Sequence, residues 1–470
     1  MRAGTGRSVP SGIASTTLAL VLVGIASPIN RLLPQDSALA RPIHRSRLEN
    51  GLDVIVVASG AVPLATVLVA VRNGAFTQDS AEEGLAHLYE HILFRSYRGD
   101  ATAFAREASR LHGRWNGATD EEVVYYFVTV PSNNVDDAIE LMGQFIQDVR
   151  FSKSDLKEEL PVVLDELHRD ESDPEARLAR RVERALWGSS WSRKDVSGDS
   201  TSLAGITLER LRATHARYYV PNNAALIVTG DVSYDHVVEQ AQRRFRNWKR
   251  GPDPFADRLI APVVARPAST VILLADDVPD VTIRVALPGP GVAADTASTY
   301  AADVLFALLD DPASAFQERL VDHGPFQYLE GSYRTRDRTG LIEFVGKTTP
   351  EQAEEALTLI VGELDELATL EGVDSGGLGI GKKDRQVQQV LTLERTATLA
   401  PQLAFWWGSA SMDYYLSYSD RLAARSIVDL RRFARDYVET RPRVIGVLAP
   451  PTTIDQLAAW LARVMPPSKP

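Results

Sequence analysis

Two hydrophobic periodicities alternate along the chain. Apolar runs with the strand period, or with no break at all, occur at "LDVIVVA" (52–58), "LATVLVAVR" (64–72), "STVILLA" (269–275) and "DVTIRVALP" (280–288). Asn50-Gly51, between "RSRLE" and the first of these, is a strong hairpin turn signal. The helical period carries "EGLAHLYEHILF" (83–94), "SDLKEELPVVLDELHRDESDP" (154–174) and a stretch from about Thr299 to Leu309.

The pattern also repeats. "ALWGSSW" (185–191) precedes "ITLERLRATHARYYVPNNAALIVTG" (206–230), and "FWWGSAS" (405–411) precedes "IVDLRRFARDYVETRPRVIGVLA" (427–449). Trp187 and Trp407, Leu211 and Leu430, and Tyr218 and Tyr437 fall at nearly one offset, so the second passage reads as a copy of the first. In each, an aromatic-Gly-Ser turn leads to an amphipathic helix that stops near Pro221 or Pro442, and a short apolar strand follows. The fold class is therefore α+β, with two homologous domains, each a largely antiparallel β-sheet packed with several α-helices. Residues 41–248 form the first, 268–470 the second, and the proline-rich segment 249–267 is the linker.

The first forty residues are of another kind. Arg2 and Arg7 precede an apolar run from Ile13 to Ala26, and Ser37-Ala38-Leu39-Ala40 comes before Arg41. That layout is a signal peptide cleaved after Ala40; the run is shorter than the ~20 residues that cross a bilayer. We expect an exported protein, periplasmic or secreted, with no stable membrane anchor, and no other stretch long and apolar enough to span a membrane. The chain has no cysteine, so its stability rests on packing without disulfides. Its formal charge of −11, without a basic stripe, argues against nucleic acid as a partner.

Candidate chemistry is concentrated in the first half. Helical residues four apart share a face, so His87 and His91 can aim imidazole nitrogens at one point, with Glu90 beside it. Two readings are open: a metal site lacking its third ligand, or two hydrogen-bonded histidines on a half-buried face. An acid-rich helix at 154–174 can supply a third donor. Glu159 and Glu166 share a face there, and Val162 and Val163 between them suggest that it is buried, where a metal would relieve the cost of an unpaired carboxylate. "GGLGIGKK" (376–383) fits part of a phosphate-binding loop, but has Lys383 where Ser or Thr is required and a helical stretch in place of the preceding strand. It reads as a flexible loop between helices. Trp406-Trp407, echoed by Trp187, reads as packing rather than a carbohydrate platform.

"GLAHLYEH" followed at a distance by "EELPVVLDE" resembles the pitrilysin/insulinase family of zinc peptidases, with its inverted His-x-x-Glu-His motif, and the duplicated halves resemble its short branch of bacterial and processing-peptidase subunits. The resemblance implies Zn2+ held by His87, His91 and Glu166, Glu90 as general base, and Glu159 supporting the site from behind. The interval from His91 to Glu166 is slightly short for the family, which leaves Glu159 or His168 as fallback ligands. "WNGATDEEVVYYF" (115–127) resembles a strand lying along the substrate, with Asn116 in place and Gly117 instead of the usual alanine. "QERLVDHGPFQY" (317–328) offers Arg319 and Tyr328, at loosened spacing, for a substrate-gripping pair. The function implied is a zinc-dependent endopeptidase hydrolysing unstructured peptides inside a chamber closed by a homodimer or by a related subunit. The alternative is a non-catalytic or partner-dependent subunit that binds peptides.

Overall fold

The computed structural model describes residues 42–256, 265, 268–373, 375–393 and 396–464. The segment 1–40, expected to be a signal peptide, and most of the expected linker, 257–264 with 266 and 267, lie outside the described residues. The first half holds six strands: β1 (Ile43–Arg47), β2 (Asp53–Ala58), β3 (Leu64–Val71), β4 (Arg114–Thr119), β5 (Val124–Pro131) and β6 (Ala224–Gly230). They form one sheet in the order β1-β2-β6-β3-β5-β4, antiparallel except for the β2–β6 pair. The second half holds β7 (Thr270–Ala275), β8 (Val281–Gly289), β9 (Phe326–Arg334), β10 (Gly340–Thr348) and β11 (Val444–Ala449), ordered β7-β11-β8-β10-β9 with β7–β11 parallel. Apart from β1, the second sheet repeats the first strand for strand, as the repeated sequence pattern requires.

The hairpin expected at Asn50-Gly51 joins β1 to β2. Gly51 takes the left-handed φ of +95° that the turn needs, and the Asn50 amide donates to the carbonyls of Phe245 and Trp248.

Strands β2, β3, β6 and β11 are apolar on both faces because both faces are covered. One face of the first sheet, through Val54, Val56, Val67 and Val69, packs on helices of its own half, among them the histidine helix Leu85–Ser96. The other, through Ile55, Val57, Leu68 and Ile227, is covered by a helix of the second half, Thr396–Ser409, along the stripe Leu399, Leu403 and Trp407. The exchange is mutual. The first-half helix Pro174–Trp187 lays Leu178, Val182, Leu186 and Trp187 against Leu274, Ala286 and Leu448 of the second sheet. An added Cβ at Gly446 would stand 2.3 Å from Val182 Cγ2, so β11 tolerates no side chain there. This exchange makes Ala40–Pro470 a single compact unit, and Trp407 and Trp187 serve as paired anchors within it.

Three expectations fail. "GGLGIGKK" lies inside the helix Ser375–Leu393; there Gly381 approaches the carbonyl of Val304, an added Cβ lying 3.0 Å from it, whereas Gly379 faces open space. The second-half helix expected from Thr299 begins at Val292, with a kink at Asp295, and runs to Leu309. It is long and apolar enough to cross a membrane, contrary to expectation, but 67% of that window is buried, as befits a core helix.

Candidate metal centre

Two helices bring the histidines and the distal acid together. Leu85–Ser96 starts at Gly84, whose φ of +84° lets the chain turn hard against Ser197 and Gly198. Its apolar side, with Leu88, Ile92 and Leu93 fully buried, fixes its rotation and presents His87, Glu90 and His91 to a cavity of about 740 Å³. Lys153–Ser172 begins in a capping box between Ser152 and Asp155 and buries Val163 and Leu167. Glu159 and Glu166 flank that stripe and face the histidine helix.

The donor geometry is compact. His87 Nε2 is 3.8 Å and His91 Nε2 3.5 Å from Glu166 Oε2, and one atom from each of the three residues lies within 4.8 Å of the others. Donors bonded to one tetrahedral zinc at ~2.1 Å stand roughly 3.4 Å apart, so small adjustments would close this set on an ion and leave a fourth position facing the cavity. Two further observations favour that fit. His91 Nδ1 lies 2.9 Å from Glu159 Oε1, a contact that fixes the ring and turns Nε2 inward. His87 Nδ1 is buried with no hydrogen-bond partner among the described residues, and its ring stands edge-on to that of His91 at 4.8 Å with Nε2 toward Glu166. Burial, with the neighbouring His91, pushes the His87 imidazole down to about 4, keeping it neutral and able to donate a lone pair. For His91, burial acts downward, but the Glu159 hydrogen bond and the charges of Glu90 and Glu166 outweigh it and the net direction is upward.

Glu90 sits beside the triad and outside it. It is buried, which raises its carboxyl above the usual range, while the Thr119 hydroxyl donates to Oε2 at 2.8 Å and works in the other direction. Thr119 belongs to β4, the edge strand of the sheet, whose alternation turns Trp115, Gly117 and Thr119 toward the histidine helix. The approach is close: a Cβ at Gly117 would fall 2.6 Å from Glu90 Oε1, so the usual alanine would oblige that carboxylate to turn. Asn116 takes the opposite face of β4 at the same cavity. Trp115, 38% exposed, packs on Phe94 with ring centroids 4.8 Å apart and the planes tilted, and both line the cavity.

Several expectations need correction. Val162 is 43% exposed and the Glu166 side chain 38%: one residue's rotation of ~100° carries Val162 away from buried Val163, so burial does not constrain Glu166 as its neighbours suggested. His168 is exposed and outside the triad, and Glu159 is occupied with His91. Arg319 is not brought to the cavity. It makes two 2.7 Å contacts with Glu363 in a separate pocket of the second half, because the helical turn that carries it packs on Ala353–Asp365. Tyr328 lies on β9 and is likewise absent from the lining. Sequence reasoning missed Thr119, Trp115 and Phe94; the alternation of β4 opposite the histidine helix was the signal for the first two.

Comparison with known proteins places the chain among peptidases of one family. Residues 54–197 match the family model described as insulinase (peptidase family M16), and residues 205–376 match that described as the peptidase M16 inactive domain. A Mycobacterium bovis protein described as an uncharacterized zinc protease is 26% identical over 389 residues, spanning 82% of this chain and 87% of its own. A probable mitochondrial-processing peptidase subunit beta from Arabidopsis thaliana is 24% identical over 266 residues, covering 56% of this chain and 50% of that one. Among solved structures, a protease from Helicobacter pylori superposes with a TM-score of 0.76 at 20% identity, covering 87% of this chain and 100% of that one. A putative M16-like peptidase from Alicyclobacillus acidocaldarius superposes at 0.73 and 18% identity, covering 87% of this chain and 98% of that one.

Proposed function

Because the chain belongs to the insulinase family of peptidases, M16, we propose that it is a zinc-dependent endopeptidase acting on unstructured peptides. One observation carries the reading: His87, His91 and Glu166 converge within 4.8 Å while a separate buried carboxyl, Glu90, stands beside them. Both imidazoles and Glu166 would hold the ion, and Glu159 would keep His91 in its ligating orientation. Zinc, when bound, supplies Lewis acidity, polarising a carbonyl and making water a stronger acid.

The protein's own groups do the rest. Glu90 accepts the proton of the attacking water and returns it to the leaving amine, a role suited to a carboxyl raised by burial. Thr119 fixes which way that carboxylate faces. The free edge of β4 offers backbone donors and acceptors to an extended peptide, which gives affinity independent of side-chain identity, and Trp115 supplies an apolar wall. Among the described residues the cavity is lined by the first half alone. That supports an opposite wall supplied by closure or by a second chain, either another copy or a related subunit, forming the chamber. Export to the periplasm or beyond belongs to the same proposal and rests on the leader pattern.

The test is direct. Purified protein is assayed for bound metal and for cleavage of an unstructured peptide, before and after chelation and after zinc is restored. About one zinc per chain, with activity lost and recovered accordingly, is expected. Metal-replete preparations without zinc, or cleavage indifferent to chelator, would overturn it.

A further inference from the structure

The turn after β4, Asp120-Glu121-Glu122, is clasped from the second half. The Arg336 guanidinium donates to Asp120 Oδ1 at 2.7 Å and to Glu121 Oε2 at 3.1 Å, and it lies over the Phe405 ring at 5.4 Å. Lys194 Nζ reaches Glu121 Oε1 at 2.5 Å and the carbonyl of Thr339 at 2.7 Å. Both oxygens of Glu122 accept from the backbone N–H of Asp337 at 3.1 Å. Arg336, Lys194 and Glu122 are all buried. The residues that meet here are counterparts: the turn between β4 and β5 in one half, and the turn between β9 and β10 in the other.

This cluster is more than an interface between lobes because of what the turn continues. β4 is an edge strand with one neighbour, β5, and its last residue, Thr119, holds Glu90. Among the described residues nothing pairs with its outer edge, so its far end is held through the turn, which Arg336 clasps together with Lys194 and the Asp337 N–H. Three acids meet two cations there. Burial and the adjacent Glu121 raise the Glu122 carboxyl, while Arg336 and the Asp337 N–H pull it the other way. Glu121 and Glu122 are largely buried and Asp120 is partly exposed, so removing Arg336 leaves largely buried acids short of a partner.

We propose that Arg336 is a positioning residue for the reaction: from the second half it clasps the Asp120–Glu122 turn and thereby sets β4, with Thr119 and the peptide-binding edge, against Glu90. The inference rests on the peptidase reading above. It assigns the half that matches an inactive-domain model a part in catalysis without any residue of its own in the cavity.

The experiment compares the full-length parent with Arg336→Met and Arg336→Lys. Zinc content, kcat and KM on an unstructured peptide, and deuterium exchange of the amides of residues 114–122 are measured on each. Arg336→Met should retain zinc, because no ligand touches the clasp, yet exchange faster by tenfold or more over 114–122 and lose tenfold or more in kcat. Arg336→Lys keeps the charge but not both contacts, and should recover part of both losses. Parent-like exchange over 114–122 in either variant would overturn the clasp, whatever the activity. Faster exchange with a parent-like kcat would overturn the catalytic role, and so would a fall in kcat that only tracks loss of zinc. A parent that cleaves nothing speaks against the peptidase reading instead, and the exchange measurement still decides the clasp. If Arg336→Met does not fold, Arg336→Lys alone decides by the same criteria.

Discussion

Single side chains separate metal binding from proton transfer at this site. Glu90 is beside the donor triad and bonded to Thr119, so Glu90→Gln removes the base while sparing the ligands. Peptide turnover should fall by about 10²–10⁴-fold with zinc content unchanged, read by assay and elemental analysis of one preparation. Glu159 acts one step further back, through His91 Nδ1. Glu159→Gln can still accept a hydrogen bond but loses the charge, and zinc affinity should drop about 10–100-fold in a chelator competition while the protein stays folded. The histidine pair and Glu90 were readable in the sequence because four-residue spacing on a helix is itself a geometry. Thr119 was not, since nothing local to it says which helix its strand will face. Arg319 misled for the opposite reason: a loosened motif carries no information about Glu363, which the fold places against it.

At the scale of elements, periodicity succeeded where one face of an element is buried and faltered where packing is all-round. β1 with β2 and the amphipathic helices Leu208–Tyr218 and Ile427–Tyr437 stand where alternation and turn residues put them. The sequence pattern marks only Thr299–Leu309, because the first turns of Val292–Leu309 expose Ala293, Ala294 and Thr296 and are kinked at Asp295, while the all-apolar part starts after them. The glycines of 376–383 predict a loop, yet the segment is helical; Gly381 packs closely on Val304 and Leu308, whereas a Cβ at Gly379 would meet open space. The buried core helix also carries a cost. Asp303 lies within it, accepts from the Tyr418 hydroxyl at 2.8 Å, and is raised by burial to about 6, against the opposing pull of Arg385 and Tyr418. Its folded value exceeds its unfolded one, so stability is intact below about pH 4 and is lost as pH rises through about 6, by about 3 kcal/mol once fully ionised. Asp303→Asn keeps an acceptor for Tyr418 and removes the charge. It should be more stable than the parent in urea unfolding above pH 6 and lose that advantage near pH 4; an equal difference at both would show that Asp303 is not the source.

For the whole molecule, the duplication seen in the sequence correctly forecast two matching sheets but not how they are completed. A repeat pattern states what each copy contains and is silent on which copy a helix will cover, because Leu399, Leu403 and Trp407 would look equally apolar against either sheet. The exchange has an energetic consequence. Separating the halves would expose Leu399, Leu403 and Trp407 on one side and Leu178, Val182, Leu186 and Trp187 on the other, all now buried. At roughly 1.5–3 kcal/mol for each large side chain, the gross loss is on the order of 10–20 kcal/mol, comparable to or greater than the roughly 5–15 kcal/mol by which a typical protein is stable at all. Trp407 would also lose its Nε1 bond to Asp53 at 2.9 Å and the Arg72 guanidinium stacked 3.9 Å from its ring. The covalent link between the halves is therefore dispensable once the protein has folded, and neither half is sufficient alone. A chain given a protease site within 257–264 and cut there should elute in gel filtration as one species with its unfolding temperature nearly unchanged, whereas residues 42–248 expressed alone should aggregate, with the β2–β6–β3 face bare. Two separate, monodisperse, folded halves after cutting would mean that the exchanged helices contribute far less than their burial implies.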